Sequence, residues 1–121
     1  MDHSQRNVVE AQEFRLVDLN GKLRALITSA ESWNGEPSIT LYDDQGNGRL
    51  ALEIHDRQPR VTFYAPSGQP MVGLGVDEKG GARIVLSREN GTLGFFVEVP
   101  ADRDTVRQEF DSEGQPMKSK N

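Results

Sequence analysis

The chain has no cysteine among its 121 residues, which excludes disulfides, thiolate catalysis and cysteine-ligated metals. Histidine is almost as scarce: His3 lies near the start, and His55 stands in the middle of the chain. No apolar run approaches the ~20 residues of a membrane helix. The opening Met1-Asp2-His3-Ser4-Gln5-Arg6 lacks the apolar core of a signal peptide. A cytoplasmic chain with no membrane contact is therefore the default expectation. Positive charge is also in short supply. The 14 Lys and Arg are scattered, and the net charge is −5, so no nucleic-acid footprint is expected and the acidic balance serves solubility.

What the chain does have is repetition. Four turns, centred on Gly21, Gly46, Gly68 and Gly91, are spaced 25, 22 and 23 residues apart. Five residues before each glycine stand Leu16, Leu41, Phe63 and Leu86, and seven before stand Phe14, Ile39, Val61 and Ile84. Four and six residues after come Ala25 and Ile27, Leu50 and Leu52, Val72 and Leu74, Phe95 and Val97. A fixed period with even internal spacing marks a tandem β-hairpin repeat. The turns Asn20-Gly21, Asp43-Asp44-Gln45-Gly46, Pro66-Ser67-Gly68 and Asn90-Gly91 supply the positive φ and local hydrogen bonds that tight reversals need. A second set, at 33–37, 55–59 and 77–81, links one hairpin to the next, and Pro37 and Pro59 sit where strands begin. The pattern predicts an all-β antiparallel meander of eight strands over residues 8–100. Residues 1–7 are expected to be disordered, with Val8-Val9 starting a short strand. Residues 101–121 read as a degenerate fifth repeat and polar tail.

Side chains alternate across a strand, so the even-spaced set defines one face. Nineteen apolar residues compose it: the sixteen named above with Ile54, Val76 and Val99. They are the expected core. The other face mixes Arg15, Arg24, Thr40, Arg49, Glu53, Thr62 and Arg83 with Val17, Leu26, Tyr42, Tyr64, Val85 and Phe96. A fifth turn falls at Gly114, where Gln115-Pro116-Met117 repeats Gln69-Pro70-Met71. Its two core positions, however, are Arg107 and Glu109.

The unit Phe14-x-Leu16-x-Asp18-x-x-Gly21-x-x-Arg24-Ala25-x-Ile27, echoed from Leu41 to Leu52, resembles a family of bacterial tandem β-hairpin repeat proteins of unknown function. Their consensus is Leu-x-Asp-x-x-Gly-x-x-Arg-Ala-x-Leu, and the resemblance covers about residues 10–99. The third and fourth units depart from it: Ala65 and Arg88 replace Asp, and Met71 and Gly94 replace Arg. The resemblance implies architecture and transfers no site.

A meander with one apolar face must cover it. It can close as an eight-stranded barrel, fold into a sandwich of two sheets, or share its face with other chains in a prism. The half-apolar second face and the worn fifth unit favour a homo-oligomer, with a trimer expected.

Candidate chemistry is sparse. His55 with Asp56 and Glu53 is the best set for a metal or a general base, and a surface histidine at a strand end explains it more simply. The carboxylate pairs Asp43-Asp44, Glu31-Glu36 and Asp77-Glu78 fall in turns, where they bond locally. No serine has a histidine at triad spacing, and neither Gly46-Asn47-Gly48 nor the glycines at 73, 75, 80 and 81 open a phosphate-binding helix. No catalytic residue, metal or cofactor is expected. Trp33, with Asn34 and Glu36, is the one feature that the repeat does not require, so it is a candidate contact to a protein or carbohydrate. Tyr42 and Tyr64, at one outward position in adjacent units, are a second candidate contact. The expected role is a non-enzymatic structural or interaction module. The alternative is a small-ligand-binding barrel, which would bind an apolar dye saturably.

Overall fold

The structure is a computed structural model in which residues 6–29 and 35–118 are described. Nine strands follow one another: β1 (Glu13–Val17), β2 (Leu23–Thr28), β3 (Ser38–Tyr42), β4 (Gly48–His55), β5 (Gln58–Tyr64), β6 (Pro70–Val76), β7 (Ala82–Ser87), β8 (Leu93–Val99) and β9 (Val106–Glu109). They form one sheet in chain order, every neighbouring pair antiparallel. The all-β meander is therefore as expected, with one strand more. The worn fifth unit supplies β9, which hydrogen-bonds along β8. Val8 and Val9 form no strand and are exposed.

Most turns share one construction. Asp18 N–H donates to the Lys22 carbonyl at 2.9 Å while Gly21 N–H donates back to the Asp18 carbonyl at 2.9 Å. This is a tight turn ending in a left-handed glycine, and Gly21 takes φ +78°. The same pair of bonds recurs from Asp43, Ala65, Asp77, Arg88 and Asp111. The Asp of the consensus braces the turn from within, as Asp43 Oδ1 accepts the Gln45 and Asn47 N–H groups at 2.9 and 3.0 Å. The Arg reaches further. Arg49 Nη1 stands 3.4 Å from Asp43 Oδ2, and its Nε donates to the Tyr64 carbonyl of the next hairpin at 2.8 Å. Arg24 repeats this with Asp18 and the Tyr42 carbonyl. The Asp and Arg shared by the first two units thus encode a turn and a clasp to the following unit.

The reversal between β4 and β5 differs. His55 pairs with Gln58 across a two-residue turn whose central residues, Asp56 and Arg57, take φ +50° and +69°. A side chain makes that conformation costly, and glycine removes the cost. Arg57→Gly is expected to raise stability by about 1 kcal/mol, read as a higher denaturant midpoint with an unchanged slope.

Register settles which residues share a face. One row runs Phe14, Ile27, Ile39, Leu52, Val61, Leu74, Ile84, Val97 and a second runs Leu16, Ala25, Leu41, Leu50, Phe63, Val72, Leu86, Phe95, each an unbroken chain of cross-strand partners over eight strands. On β9 the rows end in Arg107 and Glu109. This is the apolar face expected from the sequence.

It is not a buried core, which corrects the expectation. Each strand packs on its sequence neighbours, and no second layer covers either face among the described residues. Leu16 is 63% exposed, and Leu52 and Phe63 are 41% exposed. The buried residues among those described, Ala51, Ala65, Gly81, Thr28 and Ser38, are all small. Nor does the chain close into an eight-stranded barrel or fold into a sandwich: β1 and β9 remain separate edges of one sheet. Closing a barrel requires tilted strands and hence a net stagger around the sheet. Here the strand centres stay on the same two rows from β1 to β8, so no stagger accumulates.

Candidate functional site

The opposite face carries the polar chemistry. Its central row is Arg15, Leu26, Thr40, Ala51, Thr62, Gly73, Val85, Phe96, Gln108. Beside it runs Glu13, Thr28, Ser38, Glu53, Arg60, Gly75, Arg83, Glu98, Val106. The two glycines of β6 fall at successive outward positions, so beyond Met71 the face loses its side chains along that strand. A Cβ added at Gly73 would meet nothing within 4 Å. The result is a trough of about 320 Å³ along β6, with Arg60, Thr62 and Tyr64 of β5 on one wall and Arg83, Val85 and Ser87 of β7 on the other. It opens at Arg60, Gly75 and Arg83 into a larger hollow of about 680 Å³ among the linking turns, bordered by Glu36, His55 and Asp77.

The charge order across the trough is Glu53, Arg60, Gly75, Arg83, Glu98. Two guanidinium groups flank a residue with no side chain, each with a carboxylate on its far side. Arg60 Nε is held at 2.6 Å by Glu53 Oε1, a carboxylate almost enclosed at 7% exposure. Arg83 forms no ion pair among the described residues, while Glu98 stands 3.9 Å from Arg103. Asp77, at the turn beyond Arg83, is held below the usual aspartate range. The Gly81 N–H bond is the main cause, followed by that of Lys79, with the Arg83 charge adding to them and partial burial opposing.

Of the residues singled out from the sequence, the described ones do not converge on one place. Trp33 and Asn34 lie outside the described residues. Glu36 precedes β3 and accepts the Arg57 N–H at 3.2 Å, bracing the strained turn. Tyr42 and Tyr64 end β3 and β5, each just past a register shift. Tyr42 lies against Gly48, whose added Cβ would stand 3.7 Å from the ring. Two strand spacings, roughly 10 Å, separate the two tyrosines, so they make no continuous ladder. A ring pair among the described residues is Phe96 with Phe110, at 6.1 Å. Of the two tyrosines, Tyr64 reaches the trough. His55 Nε2 stands 3.7 Å from Asp56 Oδ2, and Glu53 is taken by Arg60, so the sequence triad is not a convergent set. The sequence reading missed Arg60, Arg83 and the trough. Their signal was two glycines spaced by two on one strand, opposite arginines at matching positions of its neighbours.

The turn aspartates carry a pH prediction. Asp18 and Asp43 are also held below the usual range, chiefly by the Lys22 and Asn47 N–H groups, against an opposing effect of burial. A lowered folded pKa means stability that is fully present above the unfolded value, about 3.9, and lost as pH falls through the lowered folded values. Denaturant midpoints should be level above about pH 5 and fall below about pH 4. Replacing Asp18, Asp43 and Asp77 together by Asn should flatten that fall. Asn can still cap such a turn, as Asn90 Oδ1 does for the Thr92 N–H at 3.0 Å.

No known family's sequence profile matches the chain, and no curated protein is significantly similar to it. Among the described residues no helix is long and apolar enough to cross a membrane.

Proposed function

We propose that the chain is a non-enzymatic structural module that assembles with copies of itself through its apolar face and turns its polar face and loops toward a carbohydrate or protein partner. The uncovered apolar face carries this reading. Twelve of its nineteen members are exposed large hydrophobics. Together they present on the order of 1,000 Å² of accessible surface, against ~300–600 Å² for the largest patch of an ordinary monomer. Stable interfaces take ~800 Å² from each partner, so one such face is enough to hold an assembly together.

Three chains suit the dimensions. The strands hold 5–8 residues in β1 to β8, a width of about 20 Å at ~3.3 Å per residue. Three such sheets, set as the sides of a triangular prism, lie roughly 6 Å from its axis, close to half of the ~10 Å between packed sheets. Two inward side chains per strand then fill the axis, and nine strands at ~4.8 Å make a rod about 38 Å long. Native mass spectrometry tests this directly. A species of three times the 13.5 kDa chain is expected. A two-chain mass would replace the prism by a face-to-face sandwich, and a folded single chain would end the proposal.

A further inference from the structure

We infer that the glycine trough along β6 is a binding site for an acidic oligosaccharide, a chain of uronate-type sugars. This deepens the proposed function and rests on its premise that the apolar face is the covered one, leaving the trough toward solvent. Several observations converge on that ligand class. The trough is two strand spacings wide, roughly 10 Å between the β5 and β7 walls, the width of a single pyranose chain between side chains. Its depth comes from the missing side chains of Gly73, above which the space is open, and Gly75, beside which Arg60 Cβ and the Pro59 carbonyl would lie 3.7 Å from an added Cβ. Its walls offer one aromatic ring, Tyr64, for the CH face of a sugar, and the hydroxyls of Thr62 and Ser87 for its OH groups. Among the described residues its charged lining is Arg60, whose Nε is held by Glu53 at 2.6 Å, and Arg83, set on the strands to either side of Gly75. Arg83, which forms no ion pair among the described residues, is the cation left to meet an anion there, with Arg60 across the strand. A guanidinium also matches the two oxygens of a carboxylate.

A peptide fits less well. β6 is an interior strand whose backbone is already paired on both sides with β5 and β7. An extended peptide laid in the trough would find no backbone partners, whereas a sugar brings its own donors and acceptors. The outer carboxylates Glu53 and Glu98 keep the positive charge local to the trough. A general attraction for polyanions is therefore not expected from a chain of net charge −5.

The test is calorimetric titration of the assembled protein, at physiological salt, with tetragalacturonate, with neutral maltotetraose and with tetraglutamate. Saturable binding of tetragalacturonate is expected, with the other two weaker by about tenfold or more. Gly73→Val should fill the trough and Arg83→Gln should remove half of its charge, each weakening tetragalacturonate binding about tenfold. Valine favours a strand and finds open space at that position, so the Gly73 variant should fold at least as well as the parent. Equal binding of tetraglutamate, or undiminished binding by Gly73→Val, would overturn the inference, as would no binding at all. Mass measured on the same samples separates the two proposals: a three-chain species that binds no uronate defeats the site alone.

Discussion

Replacing Phe63 by Asp is expected to abolish both assembly and the folded sheet. Phe63 stands in the middle of the second apolar row, between Leu50 and Val72, and is 41% exposed in the single chain. In the proposed three-chain assembly that surface would meet the faces of two other copies. There the substitution would remove an aromatic that the assembly buries, which alone costs about 3–5 kcal/mol. It also places three carboxylates together near one axis, where unpaired charge is more costly still. A module without an internal core has little stability from which to absorb this. Thr62→Asp is the matched control, because a step of one residue moves the side chain to the other face. It should cost about 1 kcal/mol and leave the mass unchanged. Circular dichroism with light scattering reads both variants. An assembled Phe63→Asp protein would refute the covered face.

The second large effect is on concentration. When chains bury their apolar faces only against each other, folding and association are one event, and stability depends on protein concentration. For three chains, each tenfold dilution should lower stability by about 2.8 kcal/mol of trimer, twice the ~1.4 kcal/mol of a single factor of ten. Thermal melts or denaturant curves across three decades of concentration measure this. Two chains would halve the dependence. Superimposable curves would mean that one chain folds alone, against the exposed rows.

Most of the fold was legible because its determinants are local and repeated. Gly21, Gly46, Gly68 and Gly91 mark the reversals, and parity relative to each glycine assigns every strand residue to a face. The register confirms those assignments row by row. The fifth unit shows the limit of that reasoning. Arg107 and Glu109 signalled a failed core position, yet β9 still pairs with β8, because strand pairing uses backbone groups that polar side chains do not remove. The Asp111 turn also survives, with its Oδ1 accepting the Glu113 and Gln115 N–H groups at 3.0 and 2.9 Å. Closure of the sheet was not legible, since it depends on net stagger, a property of the whole sheet that no single unit displays. The trough was hidden for a related reason. Gly75, Arg60 and Arg83 become neighbours only once register is known, and a missing side chain leaves no pattern of its own in the sequence.

The straight rows carry one more consequence. Because successive hairpins never drift sideways, one more unit would lengthen the molecule by two strand spacings, about 10 Å, and leave its cross-section unaltered. Such a protein is a ruler graduated in hairpins, whose reach changes in fixed increments without redesign of any contact.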